Sequence, residues 1–278
     1  MPRLCAVLAR LGIGIGVIML CGCSALLFHP ERELLPNPVA GRFKPQNVFF
    51  PNGDGETLHG WYFQPGRAKG TVLVFHGNAE NISTHVNGVL WLVQEGFNLF
   101  IIDYRGYGRS TGTPDLDGVH RDGVAALGHL MTLPGVDPGR VVILGQSLGG
   151  SVATYAAAVS PRREQVKLLV LDSAFSSYRQ IAREKLGSFF LTWPLQYPLS
   201  WLFNDDYSVE RWIGRVAAPV VILHDTSDTI VPFHHGDQIF AAATGQKENW
   251  ATSGHGHISS FADAGIRQRL AARIAGLP

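Results

Sequence analysis

The chain has little sulfur, and what it has sits at one end: among 278 residues the cysteines are Cys5, Cys21 and Cys23. Everything after Cys23 therefore lacks a thiol for a disulfide, a cysteine-bound metal or a cysteine nucleophile. Charge is scarce as well, at 16% Asp, Glu, Lys and Arg with a net charge of +1, which excludes a nucleic-acid binder relying on a basic surplus. A hydrophobic content of 46% excludes a disordered chain, and nothing in the pattern suggests a multi-span membrane protein. Metal-binding spacings are also missing. His224/Asp225, His234/His235 and His255/His257 offer ligand types, but there is no H-E-x-x-H and no H-x-H-x-D-H run, so neither metal nor other cofactor is expected.

What is present begins with an address. Arg3 and Arg10 precede the apolar run Leu11–Leu20, and no acidic residue occurs before Glu31, the layout of a secretory signal. Leu20-Cys-Gly-Cys23 resembles the lipobox of bacterial lipoproteins, although the family prefers Ala or Ser where Cys21 stands. That resemblance implies a signal over 1–22, cleavage before Cys23, and a thioether-linked lipid on Cys23. With Ser24 rather than Asp next, it implies a place in the bacterial cell envelope, on the outer membrane facing the periplasm. The rival is an uncleaved anchor, since Leu11–Phe28 holds 18 uncharged residues, close to the roughly 20 that a membrane span needs. Residues 30–45 contain Pro30, Pro36, Pro38 and Pro45 and no apolar period. They read as the end of a tether spanning 23–45, with the folded domain beginning at Gln46.

From there β-branched runs alternate with helical stretches. Thr71–Phe75, Phe97–Ile102, Arg140–Leu144, Lys167–Leu171 and Val220–Leu223 are short, lack strict alternation, and suit strands buried on both faces of a parallel sheet. Ile82–Gln94, Leu116–Leu130 and Leu148–Val159 are patterned as helices, and Asn47–Phe50 with Thr57–Phe63 as an antiparallel hairpin. The order predicts an α/β fold with a doubly wound, mostly parallel sheet over 46–278. The stretch from Ser176 to Trp212 interrupts it with Phe189, Phe190, Trp193, Tyr197, Trp201, Phe203 and Tyr207 and no strand signal, which predicts a short helical cap insertion.

Two segments match G-x-S-x-G. Gly145-Gln-Ser147-Leu-Gly149 follows the apolar run Val141–Leu144 and precedes a small-residue helix, the strand–turn–helix context that a nucleophile elbow needs. Gly108-Arg-Ser110-Thr-Gly112 has loop chemistry on both sides and fails that test. A serine nucleophile requires a histidine base and a carboxylate to orient it. Candidates for the base are His255 and His257 in Ser-Gly-His-Gly-His, and for the acid Asp228, Asp225 and Asp172.

His76-Gly-Asn78, Asp103-Tyr-Arg-Gly-Tyr-Gly-Arg-Ser110, Gly145–Gly149, His224-Asp-Thr-Ser-Asp228 through Val231-Pro232, and Gly254-His255, in that order, resemble an α/β-hydrolase serine hydrolase. They are similar in particular to the small membrane-associated branch with ABHD13, ABHD17 and Bem46 type proteins. The resemblance implies Ser147 as nucleophile, His255 as base and Asp228 as acid, with Asp225 standing where the family has glycine. It implies an oxyanion hole from the Leu148 and Asn78 backbone amides, and a structural role for His76. The expected activity is cleavage of an ester or thioester of a small-molecule or acylated substrate, with the cap walling an apolar pocket. A serine peptidase of the same fold and a non-catalytic envelope binding protein are the alternatives.

Overall fold

The computed structural model describes residues 27–277; the signal segment and Cys23 lie outside the described residues. Eight strands form one sheet: β1 (Gln46–Pro51), β2 (Thr57–Phe63), β3 (Thr71–Phe75), β4 (Asn98–Asp103), β5 (Val141–Gln146), β6 (Val166–Asp172), β7 (Val220–Asp225) and β8 (Lys247–Thr252). Their spatial order is β1-β2-β4-β3-β5-β6-β7-β8. β2 runs antiparallel to β1 and β4, and every other pairing is parallel. The order reverses around β3, so the carboxyl ends of β3 and β5 lie side by side where α/β sheets place their ligands.

Side-chain alternation sorts the central strands into two cores. Leu73, Phe75, Phe100 and Ile102 join Val119 and Leu127 of α1 (Leu116–Leu130) and Val152 of α2 (Leu148–Val159) on one face. Val72, Val74, Leu99 and Ile101 join Trp91 and, from the last helix, Leu270 and Ile274 on the other. Both faces are covered, which is why these strands read as unbroken apolar runs.

Two expectations change, and one strand has no counterpart among them. The helix anticipated over Ile82–Gln94 is broken into Ile82–His85, a 3₁₀ turn at Val86–Gly88, and Trp91–Gln94. β8 carries no apolar run because it is an edge strand, with Trp250 and Thr252 alone buried along Lys247–Thr252. Most consequential, residues 27–45 are not a tether. Phe28 is 4% exposed and sits in the core. His29–Pro30 pairs in parallel with Ala79–Glu80, and Arg32 donates to the carbonyls of Ser110 and Gly112. The Asn81 amide donates to the carbonyls of Glu31 and Glu33. Asn37 caps the Pro38–Gly41 turn by accepting from the Ala40 N–H while donating to the Ser83 carbonyl. Proline gives the segment a linker's composition, yet its backbone groups are satisfied by the domain, as buried groups must be.

The cap comprises α3 (Tyr178–Gly187) followed by short turns at Trp193–Leu195, Gln196–Ser200 and Val209–Trp212. It is followed by α4 (His234–Ala242) and α5 (Ala264–Ala275).

Candidate active site

Ser147 ends β5 and precedes α2 with φ 52° and ψ −117°, a left-handed φ that costs a non-glycine residue about 1–3 kcal/mol. The turn is held by the Ser147 N–H donating to the Asp172 carbonyl at 3.0 Å and by the Gly150 N–H donating to the Ser147 carbonyl at 2.9 Å. Its glycines answer to steric need. A Cβ at position 145 would stand 2.3 Å from the Gly149 carbonyl oxygen, and one at 149 would stand 2.1 Å from that of Phe75. The second G-x-S-x-G serine, Ser110, is buried, donates to the Asp103 carbonyl at 2.8 Å and accepts the His59 N–H at 2.8 Å, a purely local tie.

The histidine paired with Asp228 is where the structure departs from the sequence expectation. Asp228 lies against His257, not His255: the His257 Nδ1–H donates to Asp228 Oδ2 at 2.7 Å. His255 is exposed, and it meets the site's carboxylates only through its backbone N–H, donated to Asp225 Oδ2 at 3.1 Å. That bond anchors the loop one step early. Gly256, at φ 80°, then turns the chain so that the next ring points inward. The sequence carries the Gly-His pair twice, and the loop uses the second.

Asp228 is itself well held. Its Oδ1 accepts the N–H groups of Ile230 at 2.8 Å and Val231 at 2.9 Å, while His224 donates to the Val231 carbonyl at 2.8 Å. Burial alone would raise its pKa, but the His257 hydrogen bond and charge and those two backbone N–H groups outweigh burial and lower it, so the group stays a carboxylate.

The other two carboxylates have separate work. Asp225 is a knot: Oδ1 accepts from Ser227, and Oδ2 accepts the Thr252 hydroxyl at 2.9 Å and the His255 N–H. Burial opposes its ionisation, yet these donors hold it well below the usual carboxylate range. Asp172 is buried between the Ser260 hydroxyl at 2.7 Å and the Gln146 amide at 3.0 Å, and burial pushes its pKa up. Neither hydrogen-bonds to the His257 ring.

Leu148 and Asn78 both line the cavity that holds Ser147 and His257. Among the described residues, no acceptor takes the N–H of either. The loop bearing Asn78 is pinned from behind. Its carbonyl accepts the Tyr107 hydroxyl at 2.7 Å and the His29 N–H at 2.9 Å, and its side-chain amide donates to the Leu27 carbonyl at 3.0 Å. His76 is sealed in the core below, its ring packed on Tyr104 at 4.6 Å and its Nε2 3.6 Å from Asp103.

The cavity measures about 620 Å³, and its apolar wall comes from the cap and its neighbours through Phe175, Tyr178, Leu186, Phe203 and Ile230. Leu27 completes that wall, a residue the sequence pattern offered no reason to put there. Among the described residues, Lys185 is the one lining residue with a permanent charge, and no carboxylate is among those that line the cavity.

Glu184, His234 and His235 form a cluster of metal-ligand type among the described residues. The donor chemistry opposes a metal. His235 Nδ1 accepts the Ser176 N–H at 3.2 Å, so Nε2 carries the ring proton and donates it to Glu184 at 3.1 Å, leaving no lone pair there.

A sheet of this order, with a strained serine turn after β5 and an Asp–His pair on the loops after β7 and β8, defines an α/β-hydrolase. The chain belongs to the family described as serine aminopeptidase S33, whose model matches residues 66–213. It is 34% identical over 250 residues to the uncharacterized protein YfhR of Salmonella typhi, covering 84% of this chain and 80% of that one. It is 28% identical over 212 residues to the protein bem46 of Schizosaccharomyces pombe, covering 73% and 67%. The fold is shared with the Pyrococcus furiosus esterase Pf2001 at a TM-score of 0.71 and 19% identity, over 90% of this chain and 97% of that one.

Proposed function

We propose that this protein is a serine hydrolase that cleaves a carboxylic ester or thioester with an apolar acyl group through an acyl-enzyme. The observation that carries the reading is the 2.7 Å bond between His257 and Asp228 on a cavity that Ser147, in its strained turn, also lines. In this reading Asp228 fixes the ring with its proton on Nδ1, so Nε2 takes the Ser147 hydroxyl proton as Oγ attacks the carbonyl carbon. The Leu148 and Asn78 amides receive the oxyanion, each contributing a few kcal/mol to barrier lowering. His257 then returns the proton to the leaving alcohol or thiol, and water releases the acid by the same path.

Aminopeptidase chemistry is the second reading, favoured by the family's description. It needs a carboxylate to receive the substrate's ammonium group, whereas among the described residues the permanent charge on the mostly apolar cavity lining is the cation Lys185. An acyl chain fits that lining better. Cys23 is proposed as the lipid attachment point of an envelope protein on the periplasmic side of the outer membrane, to be checked by mass spectrometry of the mature N-terminus.

A fluorophosphonate probe should label the wild type and leave a Ser147→Ala variant unlabelled. Equal labelling of both would remove Ser147 from the reaction. Acyl esters should turn over faster than aminoacyl amides; the reverse preference would favour the peptidase.

A further inference from the structure

The cap carries a contiguous stretch of exposed apolar residues: Phe190 is 78% exposed, Leu191 62%, Trp193 60% and Trp201 69%. These are not scattered surface residues. Leu186 and Phe203, which flank them along the chain, and Thr192, which lies among them, line the cavity, and Ile230 both lines it and is 51% exposed. The apolar surface thus runs from the pocket wall outward. Cations accompany the rings: Arg179 stacks over Trp201 at 4.6 Å and Arg183 over Tyr197 at 5.4 Å, one helical turn apart on α3. Aromatic rings beside arginines are the composition of a surface that sits at a membrane interface.

Chain length fixes where that surface must lie. Leu27 is part of the cavity wall, and its carbonyl is tied to Asn78. Only four peptide steps separate it from Cys23, which is about 14 Å at full extension. Whether a lipid on Cys23 or a retained apolar run ending before Leu27 enters the bilayer, Leu27 stays within that distance of it, because Leu27 and Phe28 themselves are held by the domain.

We propose that the outer face of the cap around Phe190, Leu191, Trp193 and Trp201 seats on an anionic lipid bilayer, with the cavity opening toward the acyl-chain region. The seating is independent of the chemistry at Ser147; that the bilayer supplies the substrate as an acyl lipid rests on the hydrolase reading. Glu184, the acidic residue of α3, is engaged by His234 and His235, which leaves the arginines to face the headgroups.

The test uses the full chain reconstituted in phosphatidylethanolamine/phosphatidylglycerol vesicles whose acyl chains carry bromine, a short-range quencher of tryptophan emission. Quenching should be strong in the wild type and fall to the level of unbrominated vesicles in Trp193→Phe/Trp201→Phe. Phe190→Glu/Leu191→Glu should lower turnover of a long-chain ester embedded in the vesicles by about tenfold or more, as burial of two large apolar side chains is lost. Turnover of a water-soluble acetyl ester should be unchanged. Equal quenching in the double tryptophan variant, or none in the wild type, overturns the proposal. So does a concentration-dependent dimer without quenching, which would give the face to a second copy of the chain. Retained quenching with no ester turnover and no probe labelling would instead overturn the hydrolase reading alone.

Discussion

Among the described residues two aspartate–histidine assemblies stand out, and their contrast separates chemistry from scaffolding. In one, His257 meets Asp228 at 2.7 Å on a cavity wall. In the other, Asp103 lies 3.5 Å from His59 and 3.6 Å from His76, with all three side chains fully enclosed. Asp103 accepts the Ile82 N–H at 2.9 Å, and His59 is bonded in turn to Asn47 at 2.8 Å, so this assembly stitches β1, β2, β4 and the Asn78 loop together. Residue types are shared; what differs is whether the imidazole has a face on reacting space. Tyr104, which donates to the His76 carbonyl at 2.8 Å, and Tyr107 close that face at the second assembly.

Substitution should split the two cleanly. His257→Ala and Asp228→Asn should each lower kcat/KM for an acyl ester by about 10³-fold or more with the thermal midpoint close to wild type. His255→Ala should stay within about twofold, because its contribution is a backbone N–H. A large loss in His255→Ala with activity retained in His257→Ala would reverse the assignment. Asp103→Ala should act in the opposite sense. Removing the shared carboxylate should cost about 3 kcal/mol of stability and lower the midpoint by roughly 6–12 °C, while the folded fraction keeps its turnover within about tenfold. An unchanged midpoint would deny the scaffold role.

The smallest effect is a pH dependence of stability. Burial lowers the pKa of His85 and His235 to about 4 and of His120 to about 3. The unfolded chain takes up these protons near pH 6.5 and the folded chain does not, so stability is fully present above pH 6.5 and declines as pH falls toward 4. Denaturant midpoints measured across that interval should drop progressively, and a flat profile would contradict the burial of these rings.

How much of this was readable follows from which forces leave a mark in sequence. The Ser147 turn was legible because sterics demand glycine at 145 and 149 and the flanking strand and helix have strong patterns of their own. Strands β3 to β7 were legible because burial on both faces enforces β-branched runs. β8 was not, since an edge strand needs few apolar residues. The choice between His255 and His257 hinged on one hydrogen bond from a backbone N–H, to which side-chain identity is blind. The docking of residues 27–45 was invisible for a similar reason: its partners are carbonyls and amides supplied by residues 46–80 positions further along the chain, and a proline-rich composition suits a docked arm as well as a free one.

The Asp225 knot has a consequence for how such an enzyme meets acid. One carboxylate gathers the ends of β7 and β8 and the loop that carries His257, and the donors around it keep its pKa far beneath that of an ordinary aspartate. The fastener therefore stays ionised at an acidity where an ordinary aspartate has already taken up its proton. Activity lost in mild acid should return on neutralisation without a refolding delay, because the loop that carries His257 stays tied to the ends of β7 and β8.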